Sequence, residues 1–108
     1  MKIISLIYTQ KIKHRVIGDF LIKECNLFYC KKCKSERFLE NRHSDISIKV
    51  NKFNVEIMYR DAVIEEVINI IQKLTQLNNN QKLSIKSYNN EERNNIMRFN
   101  KMQEFYFV

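Results

Sequence analysis

The sequence predicts a single α+β domain, and three observations carry that prediction. Residues 46–59 alternate apolar and polar positions in two runs, residues 62–77 repeat apolar residues at three- and four-residue steps, and a short apolar run opens the chain. Periods of two and of 3.6 in one chain of 108 residues require strands and helices together, and that length supports one hydrophobic core, spanning 1–108, rather than two. The expected architecture is an antiparallel or mixed sheet of about four strands with two to three helices. A winged-helix order is preferred and a ferredoxin-like order is the alternative.

Residues 2–9 read as the first strand, because Ile3, Ile4, Leu6, Ile7 and Tyr8 are apolar on both faces, as in a strand inside a sheet. The stretch 16–43 admits two readings. In the preferred one, Phe20, Leu21, Ile22, Cys25, Phe28 and Tyr29 mark a helix and Ser35–Asn41 a second, shorter one, so that helix, turn, helix and two-stranded wing follow in order. In the other, Asn26–Cys30 and Ser35–Leu39 are two strands across a metal knuckle. Residues 46–59 then form a hairpin: Ile46, Ile48 and Val50 alternate with Ser47 and Lys49, and Phe53, Val55, Ile57 and Tyr59 alternate with Asn54, Glu56 and Met58. A two-residue turn at Asn51-Lys52 would pair Val50 with Phe53, Ile48 with Val55 and Ile46 with Ile57, leaving every apolar residue on one face. Asn51 tolerates a positive φ, but the glycine that usually follows it in such turns is missing.

Residues 62–77 read as an amphipathic helix through Val63, Ile64, Val67, Ile68, Ile71, Leu74 and Leu77, with Asp61 as N-cap and Glu65 and Glu66 favoured by the helix dipole. Asn78–Asn80 end it. Lys82–Tyr88 alternates as a strand with Leu83 and Ile85 inward. Residues 90–101 fit a helix capped at Asn90, with Ile96, Met97 and Phe99 on a thin apolar face. Phe105–Val108 closes the chain as an apolar strand or plug.

Composition excludes several classes. A chain that is 44% hydrophobic with twelve aromatics is not a disordered basic tail. Proline is absent and Gly18 is the only glycine, so turns rest on Asn, Asp, Ser and Lys, and no glycine-rich phosphate loop can be built. No run approaches the roughly 18 apolar residues of a membrane span. The first residues lack a small-residue cleavage site. The cysteine count of three is odd, and these features together predict a reducing, cytoplasmic setting without a membrane.

Charge gives the functional lead. Residues 1–60 hold thirteen Lys/Arg against six Asp/Glu, while residues 61–108 hold six of each. The excess is densest at Lys11–Arg15 and Lys31–Lys34, and Phe28, Tyr29 and Phe38 are mixed with it. Lysine and arginine neutralise phosphates while an aromatic ring stacks on a base or sugar. The leading expectation is therefore a DNA-binding accessory or regulatory protein without enzymatic activity, with duplex DNA as partner. In the winged reading, Ser35, Arg37, Asn41, Arg42 and His43 enter a groove, Lys49, Lys52 and Asn54 on the wing reach the backbone, and Lys31, Lys32 and Lys34 lie in the turn. Homodimerisation is expected through the apolar C-terminal region. The alternative, from a different class, is an inhibitor or adaptor module docking its basic face on an acidic protein.

Cys30-Lys-Lys-Cys33 is the one compact motif. Residues 28–38 around it resemble one knuckle of a zinc ribbon, a resemblance that implies zinc held by paired cysteines. No second CxxC supplies the other pair; Cys25 and His43, or His14, would have to complete the set. The expectation is no metal, with Cys25, Cys30, Cys33 and His43 as the ligands if zinc is bound. No catalytic site residues are assigned.

Overall fold

The computed structural model describes residues 2–8, 11–52, 54–78, 83–87, 94, 96 and 105–107. Within them the chain runs β1 (Lys2–Ile7), α1 (His14–Cys25), β2 (Phe28–Lys32), β3 (Arg37–Glu40), β4 (Ile46–Val50), β5 (Asn54–Tyr59), a 3-10 turn (Asp61–Val63), α2 (Ile64–Leu77), β6 (Leu83–Ser87) and β7 (Phe105–Phe107). The strands form one sheet of order β2-β3-β4-β5-β1-β6-β7. The first six are antiparallel to their neighbours, and β7 lies parallel to β6. The α+β class is as expected; the described sheet has seven strands rather than about four.

Both helices are crossovers. Helix α2 leads from β5 to β6, which run the same way with β1 between them, and α1 leads from β1 toward the meander β2-β3-β4, of which β4 is parallel to β1 with β5 between. The inward-facing residues lie in register across the sheet: Leu39 faces Ile48, Ile48 faces Ile57, Ile57 faces Ile4, and Leu6 lies between Val55 and Ile85. Ile17 and Leu21 of α1 and Val67, Ile68, Ile70, Ile71 and Leu74 of α2 join them in a single buried cluster. Each such side chain contributes about 1.5–3 kcal/mol by leaving water. No helix among the described residues is long and apolar enough to cross a membrane.

Helix α1 ends at Asn26, whose φ of 54° is the left-handed conformation usually given to glycine. The single glycine is used elsewhere: a Cβ at Gly18 would collide with the Tyr29 hydroxyl and meet two carbons of its ring at 3.0 Å. The Tyr29 hydroxyl donates to Asp19 Oδ1 at 2.7 Å. Burial, reinforced by that bond, pushes its pKa up to about 12.

The winged-helix order is corrected. Residues 35–41, expected as a second helix, form the end of a turn and strand β3. Phe38 and Leu39 alone give too little apolar face for a helix, whereas pairing with β4 buries Leu39 completely opposite Ile48. The helix expected to reach Tyr29 stops at Cys25, and β2 begins at Phe28.

The 46–59 hairpin forms, but its register differs from the expected one by two residues: Val50 faces Val55, Ile48 faces Ile57 and Ile46 faces Tyr59. A shift of two preserves which face each residue occupies. Asn51 N–H donates to the Asn54 carbonyl at 3.1 Å, and Asn54 N–H donates to Asn51 Oδ1 at 2.9 Å, closing a four-residue turn that needs no glycine. Phe53, assigned to the core face, lies outside the described residues. Asp61 does not cap α2 but pairs with Lys2 Nζ at 2.9 Å, and a 3-10 turn precedes the helix. The helix expected over 90–101 lies outside the described residues except Asn94 and Ile96, both helical, with Ile96 fully buried.

Candidate nucleic-acid interface

Three segments far apart in sequence meet at one end of the sheet. They are residues 11–14, entering α1; the β2–β3 turn at Lys34-Ser35; and the β4–β5 turn at Asn51-Lys52. A groove of about 540 Å³ is lined by His14, Lys34, Ser35, Glu36, Asn51 and Lys52. A second, of about 320 Å³, is lined by Lys11, Ile12, Lys13 and Lys52. Lys52 lines both grooves, and Lys11, Lys13, Lys34 and Lys52 are all exposed. Glu36, in the wall of the first groove, pairs with Lys49 Nζ at 3.4 Å.

Helix α1 begins at this end against the usual rule. Lys13 stands at the N-cap position with no side-chain cap bond, and the first turn carries no acidic residue. Arg15 follows, so the Lys13 and Arg15 cations crowd the positive end of the helix dipole at about 0.3–1 kcal/mol each. Local violations of this kind concentrate at functional sites, where a ligand offsets the cost.

Among the described elements, one face of the sheet next to this end stands uncovered, although Ser5 on that face is buried. Two helices pack on one side; on the other, no described element covers the strands. Cross-strand register sets Lys31, Phe38, Lys49, Glu56, Ser5 and Lys86 in one row. The neighbouring row holds Phe28, Glu40, Ser47, Met58 and Ile3. A bulge between Tyr29 and Lys31 puts Phe28 and Lys31 on the same side of β2, which regular alternation would not. Lys31 Nζ stands 5.6 Å from the centre of the Phe38 ring. Of the five exposed large apolar residues described, four (Ile3, Ile7, Phe28 and Met58) belong to this face, and Phe28 is 47% exposed.

The residues assigned to DNA contact from the sequence therefore do not form one surface. Lys34, Ser35 and Lys52 lie at the basic end, and Lys31 and Lys49 lie on the open face beside it. Lys32 sits on the helix-facing side, its Nζ 4.5 Å from the centre of the Tyr29 ring. Arg37 is part-buried and donates to the carbonyls of Cys33 and Glu36, bracing the β2–β3 turn. Asn41, Arg42 and His43 occupy the β3–β4 turn at the opposite end, about 13–17 Å away across strands of four and five residues. Asn41 is committed to that turn: its Oδ1 accepts from Asp45 N–H at 2.9 Å and Ile46 N–H at 3.2 Å. The charge at Lys11, Lys13 and His14 is plain in the sequence, but its place in the site is not, since only the crossover brings the start of α1 beside the turns.

Arg42 and His43 line a mixed-charge cleft of about 460 Å³ with Glu24, Cys25, Asp45, Glu65 and Glu66 among its walls. Cys25 and His43 share that cleft, while Cys30 and Cys33 belong to β2 and the turn after it. Among the described residues no three His, Cys, Asp or Glu side chains converge as metal ligands. Burial pushes the Cys25 thiol up to about 11, with Lys73 opposing the rise and Glu24 adding to it. Burial also raises Cys30, with Glu40 contributing. Both shifts disfavour the thiolate that reactive cysteines use.

Comparison with protein-family models, with curated proteins and with solved structures finds no match to this chain.

Proposed function

We propose that this is a non-enzymatic nucleic-acid-binding protein whose basic end takes the sugar–phosphate backbone. The observation that carries the reading is the convergence of Lys11, Lys13, Lys34 and Lys52 on two adjoining grooves around an uncapped, cation-crowded helix start. Lysines gathered in this way act as point charges for phosphates and release counterions when they bind. The strand and helix order β1-α1-β4-β5-α2-β6 reads as a ferredoxin-like plan enlarged by the β2–β3 hairpin, which adds Lys31 and Lys34 to the surface. No recognition helix is needed, and Arg37, Asn41, Arg42 and His43 have no part in reading a duplex groove.

The test is binding of labelled duplex and single-stranded oligonucleotides over a salt series. Lys11→Ala with Lys34→Ala should weaken binding and flatten the slope of log K against log salt by about one for each phosphate no longer neutralised. Lys23→Ala with Arg42→Ala removes the same charge from elsewhere and should leave the slope nearly unchanged. Equal losses in the two pairs would reduce the effect to net charge. Absence of nucleic-acid binding near 100 mM salt would favour the acidic-protein partner instead.

A further inference from the structure

We propose that the partner is single-stranded DNA, laid over the open sheet face with two successive bases stacked on Phe38 and Phe28. This rests on the reading that the basic end holds phosphates, and it names the strand state and the base-contacting residues. Phe38 lies between Lys31 and Lys49 in one cross-strand row, so an aromatic face is flanked by two cations. That row directly adjoins the turns that carry Lys34 and Lys52. Phe28 occupies the next row on the neighbouring strand, about 7 Å further along the strand direction at the usual rise. The bulge in β2 is what brings Phe28, Lys31 and Phe38 to one side.

In a duplex the base faces are already stacked on one another, so the exposed Phe28 ring and the half-buried Phe38 ring have nothing to engage; a single strand offers its faces freely. The remaining charges orient it. Glu56 in the Phe38 row and Glu40 in the Phe28 row repel phosphate from the middle of the face, and Lys86 lies beyond Glu56 at its far side. The backbone is thereby kept toward Lys31, Lys49 and the basic end, with the bases directed over the rings. The edges of Phe28 and Phe38 present apolar surface to the sugars of the nucleotides stacked there. Deoxyribose loses little against those rings, whereas a ribose 2′-hydroxyl would give up water to the same apolar contact.

The experiment measures fluorescence anisotropy with labelled oligothymidine, oligouridine and a mixed-sequence duplex at one salt concentration. Phe28→Leu and Phe38→Leu are compared with the parent, because leucine keeps the apolar volume while removing the ring. Folding is monitored by circular dichroism, and Phe38→Tyr serves as the conservative rescue. The expected result is oligothymidine bound more tightly than duplex and than oligouridine. Each leucine variant should lose about five- to hundredfold in affinity for oligothymidine, and the tyrosine variant should restore it. Equal binding of duplex and oligothymidine, with both leucine variants at parent affinity, overturns the proposal while leaving the basic-end reading intact. Tighter binding of oligouridine overturns the sugar assignment. No binding by the parent removes the functional reading and this inference together.

Discussion

Gly18 and Tyr29 form a pair in which each explains the other. The ring lies against the helix backbone where any Cβ would collide, and its hydroxyl is held by Asp19. Gly18→Ala in the parent should therefore displace the ring and destabilise the domain despite alanine's better helix propensity. In a Tyr29→Ala background the same change should stabilise it by about 0.5–1 kcal/mol. Chemical denaturation of the four proteins measures this, and a Gly18→Ala effect of the same sign in both backgrounds would remove the ring as its cause. Arg37 makes a similar point about function. Its guanidinium braces two turn carbonyls, so its loss would act on the fold before it acted on any partner. Residue type alone suggests base reading, because arginine suits guanine edges and main-chain carbonyls equally well.

At the scale of elements, the parts legible in the sequence were those with local periodicity. Val67, Ile71 and Leu74 mark α2, the alternation of 46–59 marks β4 and β5, and Ile85 falls inward on β6 as expected. The register of the hairpin was not legible, because slips of two residues satisfy the same apolar pattern. It was decided by the Asn51–Asn54 turn, whose hydrogen bonds close it without a positive φ at Asn51 or Lys52. Cross-strand nuclear Overhauser effects should therefore oppose Ile48 to Ile57; direct opposition of Ile48 to Val55 would restore the tighter turn. Strands β2 and β3 were ambiguous for a different reason. They carry few buried residues, and their strand character comes from pairing with β4, information that is not local. The candidate site shared this fate: its charges were visible, but its geometry depends on two crossovers.

Across the whole molecule, the cationic excess of the first sixty residues divides into distinct groups. Lys2 pairs with Asp61, Arg60 with Asp45 at 3.6 Å and Lys49 with Glu36, and in the second half Lys73 pairs with Glu24 at 3.8 Å. The β3–β4 turn holds Arg42 at the far end, beside the carboxylates of the cleft. Lys11, Lys13, Lys34 and Lys52 gather at the basic end, continuous with the face around Phe38. That continuity is the central claim, and mapping the surface tests it most directly. In a titration of isotope-labelled protein with oligothymidine, followed by amide chemical shifts, the account predicts perturbations at residues 11–14, 28–38 and 49–52, with residues 42–45 unchanged. Perturbations centred on residues 42–45, or spread evenly over every exposed lysine and arginine, would contradict it.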